Sequence, residues 1–201
     1  MTVDALSGSF ADPVLGSQTV FRALLSVLSR PGTIARLLPG LRPPPPLNAA
    51  AAAVLCTLAD ADTPVYLDGR LAGEEAVAAW IGFHTGARLV AGPADAGFAA
   101  IAEPEAMPPL ALFRQGTDEY PDRSTTIILQ VEGLSGGVPL LLQGPGVAAT
   151  AQFAPHPLPK DLAEQLGANR QLFPRGVDLV FAAPDAIAGL PRSTRVTEGR
   201  A

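Results

Sequence analysis

Thr57-Leu-Ala-Asp60-Ala-Asp62-Thr63-Pro64 joins an apolar, alanine-rich segment to the apolar run Val65-Tyr-Leu67. The preceding segment, from Leu47 to Ala59, predicts a helix, because alanine and leucine favour helix and Asn48 can cap its start. Pro64 cannot continue that helix, so Val65-Tyr-Leu67 predicts a strand. A helix that passes through a short turn into a buried strand is a building unit of α/β folds.

Asp60 and Asp62 stand in this turn although only 16% of the residues are charged. Aspartate is common in turns, where its oxygens accept hydrogen bonds from nearby backbone N–H groups. Carboxylates also suit hard cations, so the same pair is typical of a metal or phosphate–metal site. The sequence leaves both interpretations open.

The composition indicates one globular domain. The chain has 201 residues, enough to bury a sizeable core, and 48% of them are hydrophobic. We expect a single domain over residues 1–201, with about nine N-terminal and about five C-terminal residues held loosely. The net charge of −5 and the scattered basic residues argue against nucleic acid as a partner.

The sequence also predicts a cytoplasmic protein without a membrane partner. Its first residues lack the basic and apolar regions of a signal peptide. The longest apolar run, Ala49 to Ala59, is interrupted by Thr57 and is too short to cross a bilayer.

The cysteine and lysine content excludes two kinds of cofactor chemistry. Cys56 is the only cysteine, so the chain forms no internal disulfide and cannot by itself hold an iron–sulfur cluster. Lys160 is the only lysine, and it stands near the start of a polar helix, an exposed position unsuited to the Schiff base of a pyridoxal phosphate enzyme. We therefore predict no cofactor and assign no metal.

Helix and strand signals alternate along the chain, which predicts an α/β sandwich with some antiparallel pairing. Gly40–Pro46 is predicted to be an extended connector, and Ala102–Asp122 a surface excursion. Further helices are predicted over Ser17–Ser29, with Ser17 as the cap, and over Glu74–His84 and Leu158–Leu166. Strands are predicted over Arg88–Ala91, Phe98–Ile101, Thr125–Val131 and Val138–Gln143 and, as the last strand, Val177–Ala183.

Gly133-Leu-Ser135-Gly136-Gly137 matches G-x-S-x-G, the nucleophile elbow of α/β-hydrolases. An elbow needs a helix after the serine, whereas a strand is predicted here, and no acid lies between Ser135 and His156. A hairpin loop that uses its glycines for positive φ is the better interpretation. The backbone N–H groups of Ser135 and Gly136 are also candidates for anion binding.

Three further side chains are candidates for a functional site. His84 ends a predicted helix, where the helix dipole favours an imidazolium and where histidine can also act as acid or base. Arg22 and Arg192 can each form a fork onto phosphate or phosphonate oxygens, or pair with an aspartate such as Asp178. His84 joins the two aspartates of the turn as a candidate for catalysis.

A series of short motifs, in this order and spacing, resembles the PhnH family, the H subunit of bacterial carbon–phosphorus lyase. The resemblance covers nearly the whole chain, roughly from Phe10 to Val196. The motifs are Phe21-Arg22, Arg30-Pro31-Gly32, Leu58-Ala-Asp60-x-Asp62-Thr63-Pro64, Phe83-His84-Thr85, Leu129-Gln-Val131, Leu134-Ser-Gly-Gly137, Gly144-x-Gly146, Phe173-Pro174-x-Gly176-x-Asp178 and Pro191-Arg192-x-Thr194.

The resemblance implies a role in phosphonate breakdown. In that family a core complex of G, H, I and J subunits converts ATP and a phosphonate into a ribose 1-phosphonate 5-triphosphate, and a radical step on the J subunit later breaks the C–P bond. It implies a homodimer that docks onto the J subunit and has no activity alone. The implied fold is a three-layer α/β/α sandwich with a mixed sheet, similar to pyridoxal phosphate transferases without the cofactor.

Three roles for this chain follow from these observations. The favoured role is a structural and regulatory subunit whose polar residues form a docking surface or a remote anion pocket. In the second, Asp60 or Asp62 holds a metal, Arg22 and Arg192 clamp phosphate, and His84 acts as acid or base. The third is a stand-alone esterase that uses Ser135 as its nucleophile.

Overall fold

The computed structural model describes residues 7–199. Its helices are α1 (Pro13–Ser29), α2 (Ala49–Leu58), α3 (Gly69–Ala72), α4 (Glu75–Thr85) and α5 (Leu162–Gln171). Its strands are β1 (Ile34–Arg36), β2 (Val65–Leu67), β3 (Leu89–Val90), β4 (Phe98–Ile101), β5 (Thr126–Gln130), β6 (Leu140–Gln143), β7 (Ala151–Phe153), β8 (Asp178–Ala183), β9 (Ala186–Leu190) and β10 (Arg195–Glu198). Three short 3₁₀ turns cover Pro93–Asp95, Pro104–Ala106 and Leu110–Leu112.

The strands form two sheets. The large sheet has seven strands in the order β1-β9-β8-β5-β4-β2-β3, and β9 alone runs against its neighbours. The small sheet is antiparallel, in the order β10-β6-β7. The predicted α/β fold with a mixed sheet is confirmed.

Both faces of the large sheet are buried, and alternate residues of its central strands fill two separate cores. Ile128 of β5 and Val180 of β8 point into the first core, which α1, α2 and α4 cover. Leu129 of β5 and Phe181 of β8 point into the second core, which α5, the small sheet and residues 107–113 cover. This is the period of two that a strand imposes on its side chains.

The helices begin where their caps allow. Asn48 caps α2 as predicted, and its side-chain oxygen accepts a hydrogen bond from Ala51 N at 2.8 Å. The cap predicted at Ser17 is wrong: α1 begins four residues earlier, where Asp12 accepts hydrogen bonds from the N–H groups of Val14 and Leu15. Pro13 follows that cap, at a position where its missing N–H costs nothing.

Three further expectations need correction. The predicted helix over Leu158–Leu166 is displaced, since α5 begins at Leu162. β8 is not the last strand, because β9 and β10 follow it. Residues 102–122 are not only a surface excursion, since Met107, Leu110 and Phe113 are buried in the second core.

The predicted hairpin between β5 and β6 is also wrong. β5 lies in the large sheet, β6 lies in the small one, and the segment Gly133–Gly137 carries the chain from one to the other. The strand that precedes the segment and the strand that follows it are as predicted.

Polar side chains tie loops to the carboxyl ends of the parallel strands. Gln130, at the end of β5, accepts a hydrogen bond from Asn48 N at 2.6 Å and donates one to Pro46 O at 3.1 Å. Asp68, directly after β2, accepts hydrogen bonds from Leu71 N, Ala102 N and Glu103 N at 2.7–3.0 Å. These groups are buried and hydrogen-bonded, so they brace this edge.

The chain ends are only partly described. The expectation of loose ends falls in part on residues 1–6 and 200–201, which lie outside the described residues. Within residues 7–199, no helix has the length and apolar character needed to cross a membrane.

Gly189 of β9 allows α1 to pack closely on the large sheet. A Cβ atom on Gly189 would stand 2.9 Å from Leu28 N and from the carbonyl carbon of Val27. We expect Gly189→Ala to lower the free energy of unfolding by about 1–3 kcal/mol, because the backbone of α1 must move away from the new methyl group. Urea unfolding followed by circular dichroism measures this change.

Gly167→Ala is the matched control, because a Cβ atom on Gly167 of α5 would meet no heavy atom within 4 Å. Alanine should leave stability unchanged there or raise it by up to about 1 kcal/mol, through its higher helix propensity. Equal effects of the two substitutions would contradict the close packing of α1 on β9.

Candidate functional site

The amino ends of the parallel strands form a row along one edge of the large sheet. Val65 of β2 pairs with Phe98 of β4, Phe98 with Thr126 of β5, and Thr126 with Asp178 of β8. The loops that enter these strands therefore lie side by side. Most of the polar residues considered below belong to these loops.

A cavity of about 440 Å³ opens at this edge between the loops that enter β2, β4 and β5. Asp62, Phe98, Arg114, Arg123 and Thr126 contribute to its lining. A second cavity, of about 480 Å³, adjoins it and is lined by Arg88, Asp95 and Arg114 among others. We call the two cavities together the amino-edge groove.

Three arginines of the amino-edge groove stand outside any ion pair of the described residues. Those ion pairs are Arg70–Glu103, Arg175–Asp118 and Arg192–Asp178. Arg88, Arg114 and Arg123 have no described carboxylate oxygen within 4.0 Å, and all three are exposed. The guanidinium of Arg123 lies over the ring of Tyr120, with Cζ 4.1 Å from the ring centroid, which is a cation–π contact.

Asp60 forms the turn that precedes β2. Its Oδ1 accepts hydrogen bonds from Asp62 N and from the Thr63 hydroxyl, both at 3.0 Å, and Asp60 N donates to Thr63 Oγ1 at 2.7 Å. This is the hydrogen-bonded turn that aspartate favours. Among residues 7–199 no group of three or more His, Cys, Asp or Glu side chains could hold a metal ion. The hydrogen bonds of Asp60 support the turn interpretation for this residue, and Asp62 lines the amino-edge groove.

His84 lies in the last turn of α4, as predicted. Its ring packs against Trp80, with centroids 4.4 Å apart and the ring planes tilted by 55°, and Trp80 is fully buried. Gly86 ends the helix with a φ of 70°, and a Cβ atom there would stand 4.0 Å from Ala61. The end of α4 and the Asp60–Thr63 turn are therefore neighbours.

Arg22 and Arg192, the two arginines selected from the sequence, have different environments. Arg22 is exposed on α1. The Arg192 guanidinium is bound to the Asp178 carboxylate through Nε and Nη2, and Nη1 donates to Pro121 O at 2.6 Å. The backbone N–H of Arg192 also donates to Asp178 Oδ1, at 2.7 Å. Pairing with Asp178, one of the two alternatives open to Arg192, is thus the one observed.

Ser135 and Gly136 are exposed in the segment that connects the two sheets, and no helix follows them. The glycines of this segment have a packing role. A Cβ atom would meet His156 Cε1 at 2.6 Å if it stood on Gly133, and Pro155 O at 2.4 Å if it stood on Gly137. The G-x-S-x-G pattern is therefore explained by close contact with residues 154–156.

Sequence reasoning missed Arg88, Arg114 and Arg123, although these side chains line the groove. Arg114 and Arg123 fall in or beside residues 102–122, where the sequence has no periodic pattern. Arg88 was treated as the first residue of a strand. Its position two residues after Gly86, the glycine that ends α4, was the available signal.

Two partly buried side chains have altered acidity. Burial raises the pKa of the Cys56 thiol to about 12, so it remains protonated at neutral pH. Burial, and next the nearby Asp68 carboxylate, raise the pKa of Tyr66. Neither residue lies among those that line the amino-edge groove.

The fold and the groove define a mixed α/β protein with exposed arginines at the amino ends of its parallel strands. Residues 8–197 match the family described as "Bacterial phosphonate metabolism protein (PhnH)". A relative from Rhizobium meliloti (strain 1021), named "Alpha-D-ribose 1-methylphosphonate 5-triphosphate synthase subunit PhnH", is 46% identical over 190 residues, 94% of each chain. The chain belongs to the PhnH family, and the predicted assignment to phosphonate metabolism is confirmed.

Arg192 should matter for stability more than Arg22. We expect Arg192→Ala to lower the free energy of unfolding by about 2–3 kcal/mol, because it removes several charge-assisted hydrogen bonds around the mostly buried Asp178 carboxylate. Arg22→Ala removes an exposed side chain and should change stability by no more than about 0.5 kcal/mol. Urea unfolding of both variants tests this, and an unchanged stability of Arg192→Ala would contradict the structural role.

The connecting segment offers a matched pair of variants. Gly137→Ala should destabilise the protein by about 1–3 kcal/mol, because the new methyl group collides with Pro155 O. Ser135→Ala should stay within about 0.5 kcal/mol, since Ser135 is exposed. Thermal unfolding measures both effects. Loss of an esterase activity in Ser135→Ala would contradict the packing interpretation and restore the nucleophile hypothesis.

Proposed function

We propose that this chain is the H subunit of a complex that forms a ribose 1-phosphonate 5-triphosphate, and that its own role is structural or accessory. The name of its Rhizobium relative supports the first part: that protein is a subunit of alpha-D-ribose 1-methylphosphonate 5-triphosphate synthase. The match covers 94% of both chains, so this chain corresponds to nearly the whole of that relative.

The scatter of the anion-binding candidates supports an accessory role. Arg22 is on α1, Ser135 is in the segment between the sheets, and Arg192 is bound to Asp178. Catalytic constellations need an acid or base within hydrogen-bond reach of the group it serves. A docking function does not require these side chains to lie close to one another.

An apolar stripe on α1 supports both homodimer formation and docking onto the J subunit. Val14, Phe21 and Leu25 lie at i, i+7 and i+11, on one side of the helix, and are 68%, 46% and 53% exposed. We call these three residues the α1 stripe. Contiguous exposed apolar side chains of this kind mark interaction sites. The partners proposed are a second copy of the chain and the G, I and J subunits.

Two finer features of the expected fold belong to the same proposal. Helices cover one face of the large sheet, and α5 with the small sheet covers the other, which supports a three-layer α/β/α description. The similarity to pyridoxal phosphate transferases without their cofactor is proposed with it. The exposed position of Lys160 agrees with a chain that uses no Schiff base. We propose a cytoplasmic location as well, and the ATP that the proposed complex consumes supports it.

One observation favours a second candidate function, direct participation in the active site. Asp62 lines the amino-edge groove beside the unpaired Arg114 and Arg123. In this alternative the groove holds a phosphate or phosphonate group of the substrate, and Asp62 or His84 assists the reaction.

Co-expression with the G, I and J subunits tests the proposed function. We expect the chain to co-purify in a stable complex that turns over ATP and a phosphonate. Leu25→Asp, on the α1 stripe, should weaken dimerisation or assembly at least tenfold, since it would bury a charge. Leu112→Asp is the control, because Leu112 is similarly exposed (55%) but lies on the opposite side of the large sheet.

Two results would contradict the proposal. One is a chain that stays apart while the other three subunits assemble and turn over without it. The other is normal assembly with turnover abolished by Asp62→Asn or His84→Gln, which would favour the active-site alternative.

A further inference from the structure

We propose that the amino-edge groove binds the polyphosphate chain of a nucleotide or of a phosphorylated ribose, through Arg88, Arg114 and Arg123. The proposed function supplies the biological source of that ligand, and the binding chemistry rests on the groove itself. None of these arginines is among the residues that the sequence selected.

The backbones of two of these arginines are fixed to the strands that they flank. Arg88 O accepts a hydrogen bond from Val65 N at 2.9 Å, and Arg114 O accepts one from Thr125 N at 2.8 Å. Arg114 N is bound in turn, to Thr125 Oγ1 at 3.1 Å. The side chains therefore project from rigid positions, and less order has to be imposed when a ligand binds.

The groove is wider than a single phosphate group. Leu89, next to Arg88, pairs with Val65, and the row continues through Phe98 to Thr126, near Arg114 and Arg123. Three strand spacings of about 4.8 Å separate the two ends of this row, about 14 Å in total. Arg114 lines both cavities and so connects the two ends. This width favours a chain of linked phosphates over a lone phosphate group as the ligand.

Guanidinium groups that lack a carboxylate partner are suited to this task. Arginine presents its N–H donors in a rigid fork that matches the oxygens of phosphate, and charge-assisted bonds of this type are strong. At the same edge, Arg192 and Arg175 are bound to Asp178 and Asp118. The groove arginines are thus the ones left available for an external anion.

Aspartates at the rim restrict what the groove can bind. Asp62, Asp95 and Asp122 contribute to its lining, yet none of them comes within 4.0 Å of a groove arginine nitrogen. Their charges offset those of the arginines at long range, so extended polyanions gain little. Recognition then depends on direct contacts, which favours a short, highly charged ligand such as a triphosphate over a long polyanion.

Isothermal titration of the full chain at 150 mM NaCl tests this inference, with inorganic triphosphate, ATP and methylphosphonate as the probes. We expect one saturable site per chain for triphosphate and ATP, and at least tenfold weaker binding of methylphosphonate. Arg114→Ala should weaken triphosphate binding by about tenfold or more, since it removes charged hydrogen bonds. Asp122→Asn should tighten binding several-fold, because it removes a repulsive charge.

Arg36→Ala is the matched control, because Arg36 is equally an exposed arginine but lies on β1, at the other end of the sheet. It should bind triphosphate as the wild-type chain does. Thermal unfolding of each variant confirms that it is folded. The absence of saturable triphosphate binding, or an equal loss in Arg36→Ala and Arg114→Ala, would overturn the inference. ATP binding that Arg114→Ala leaves unchanged would overturn it too.

Failure of this inference and failure of the proposed function give different results. A chain that joins the complex but binds no triphosphate has the proposed function and no polyphosphate site. A chain that binds triphosphate through Arg114 but never joins the other subunits has the site and another function.

Discussion

The structure depends on the burial of β5 and β8 on both faces. Their alternating side chains fill two cores at once, so a shift of either strand by one residue would exchange every contact on both sides. Each large side chain buried in this way contributes about 1.5–3 kcal/mol. The register of the parallel strands is therefore fixed, and with it the row of residues at each edge of the sheet.

This constraint explains which parts of the fold the sequence predicts. The α2–β2 unit, the helix that carries Trp80 and strands β4, β5 and β8 are long or strongly apolar, and their patterns are visible locally. Strands β1, β7 and β10 are largely exposed or partly buried, so no run of apolar residues marks them in the sequence, and β9 is rich in small residues. β9 reads Ala-Ile-Ala-Gly-Leu, and its small residues serve contact with α1 rather than strand propensity.

The candidate site was less predictable than the fold. Asp60, Asp62 and His84 were selected from motifs, and they do lie near one another at the turn before β2 and the end of α4. From the sequence, Arg192 could bind an anion or pair with Asp178. Only the assembled sheet shows that it pairs with Asp178. Arg114 and Arg123 stand in loops, where no periodicity indicates which way a side chain points. Loop residues become a site only through the strands that bring them together.

The two edges of the large sheet have opposite uses. Ligands of open α/β folds commonly bind at the carboxyl ends of the strands. Here that edge is occupied by protein: the Asp68 carboxylate accepts three backbone N–H bonds, and Asn48 and Gln130 join the proline-rich connector to β5 and β8. Buried polar groups that are fully bonded cannot turn to a ligand without losing those bonds, which would cost about 1–3 kcal/mol for each group. The amino edge keeps exposed arginines with no carboxylate partner. The groups available for recognition of a ligand therefore lie at the amino ends of the strands.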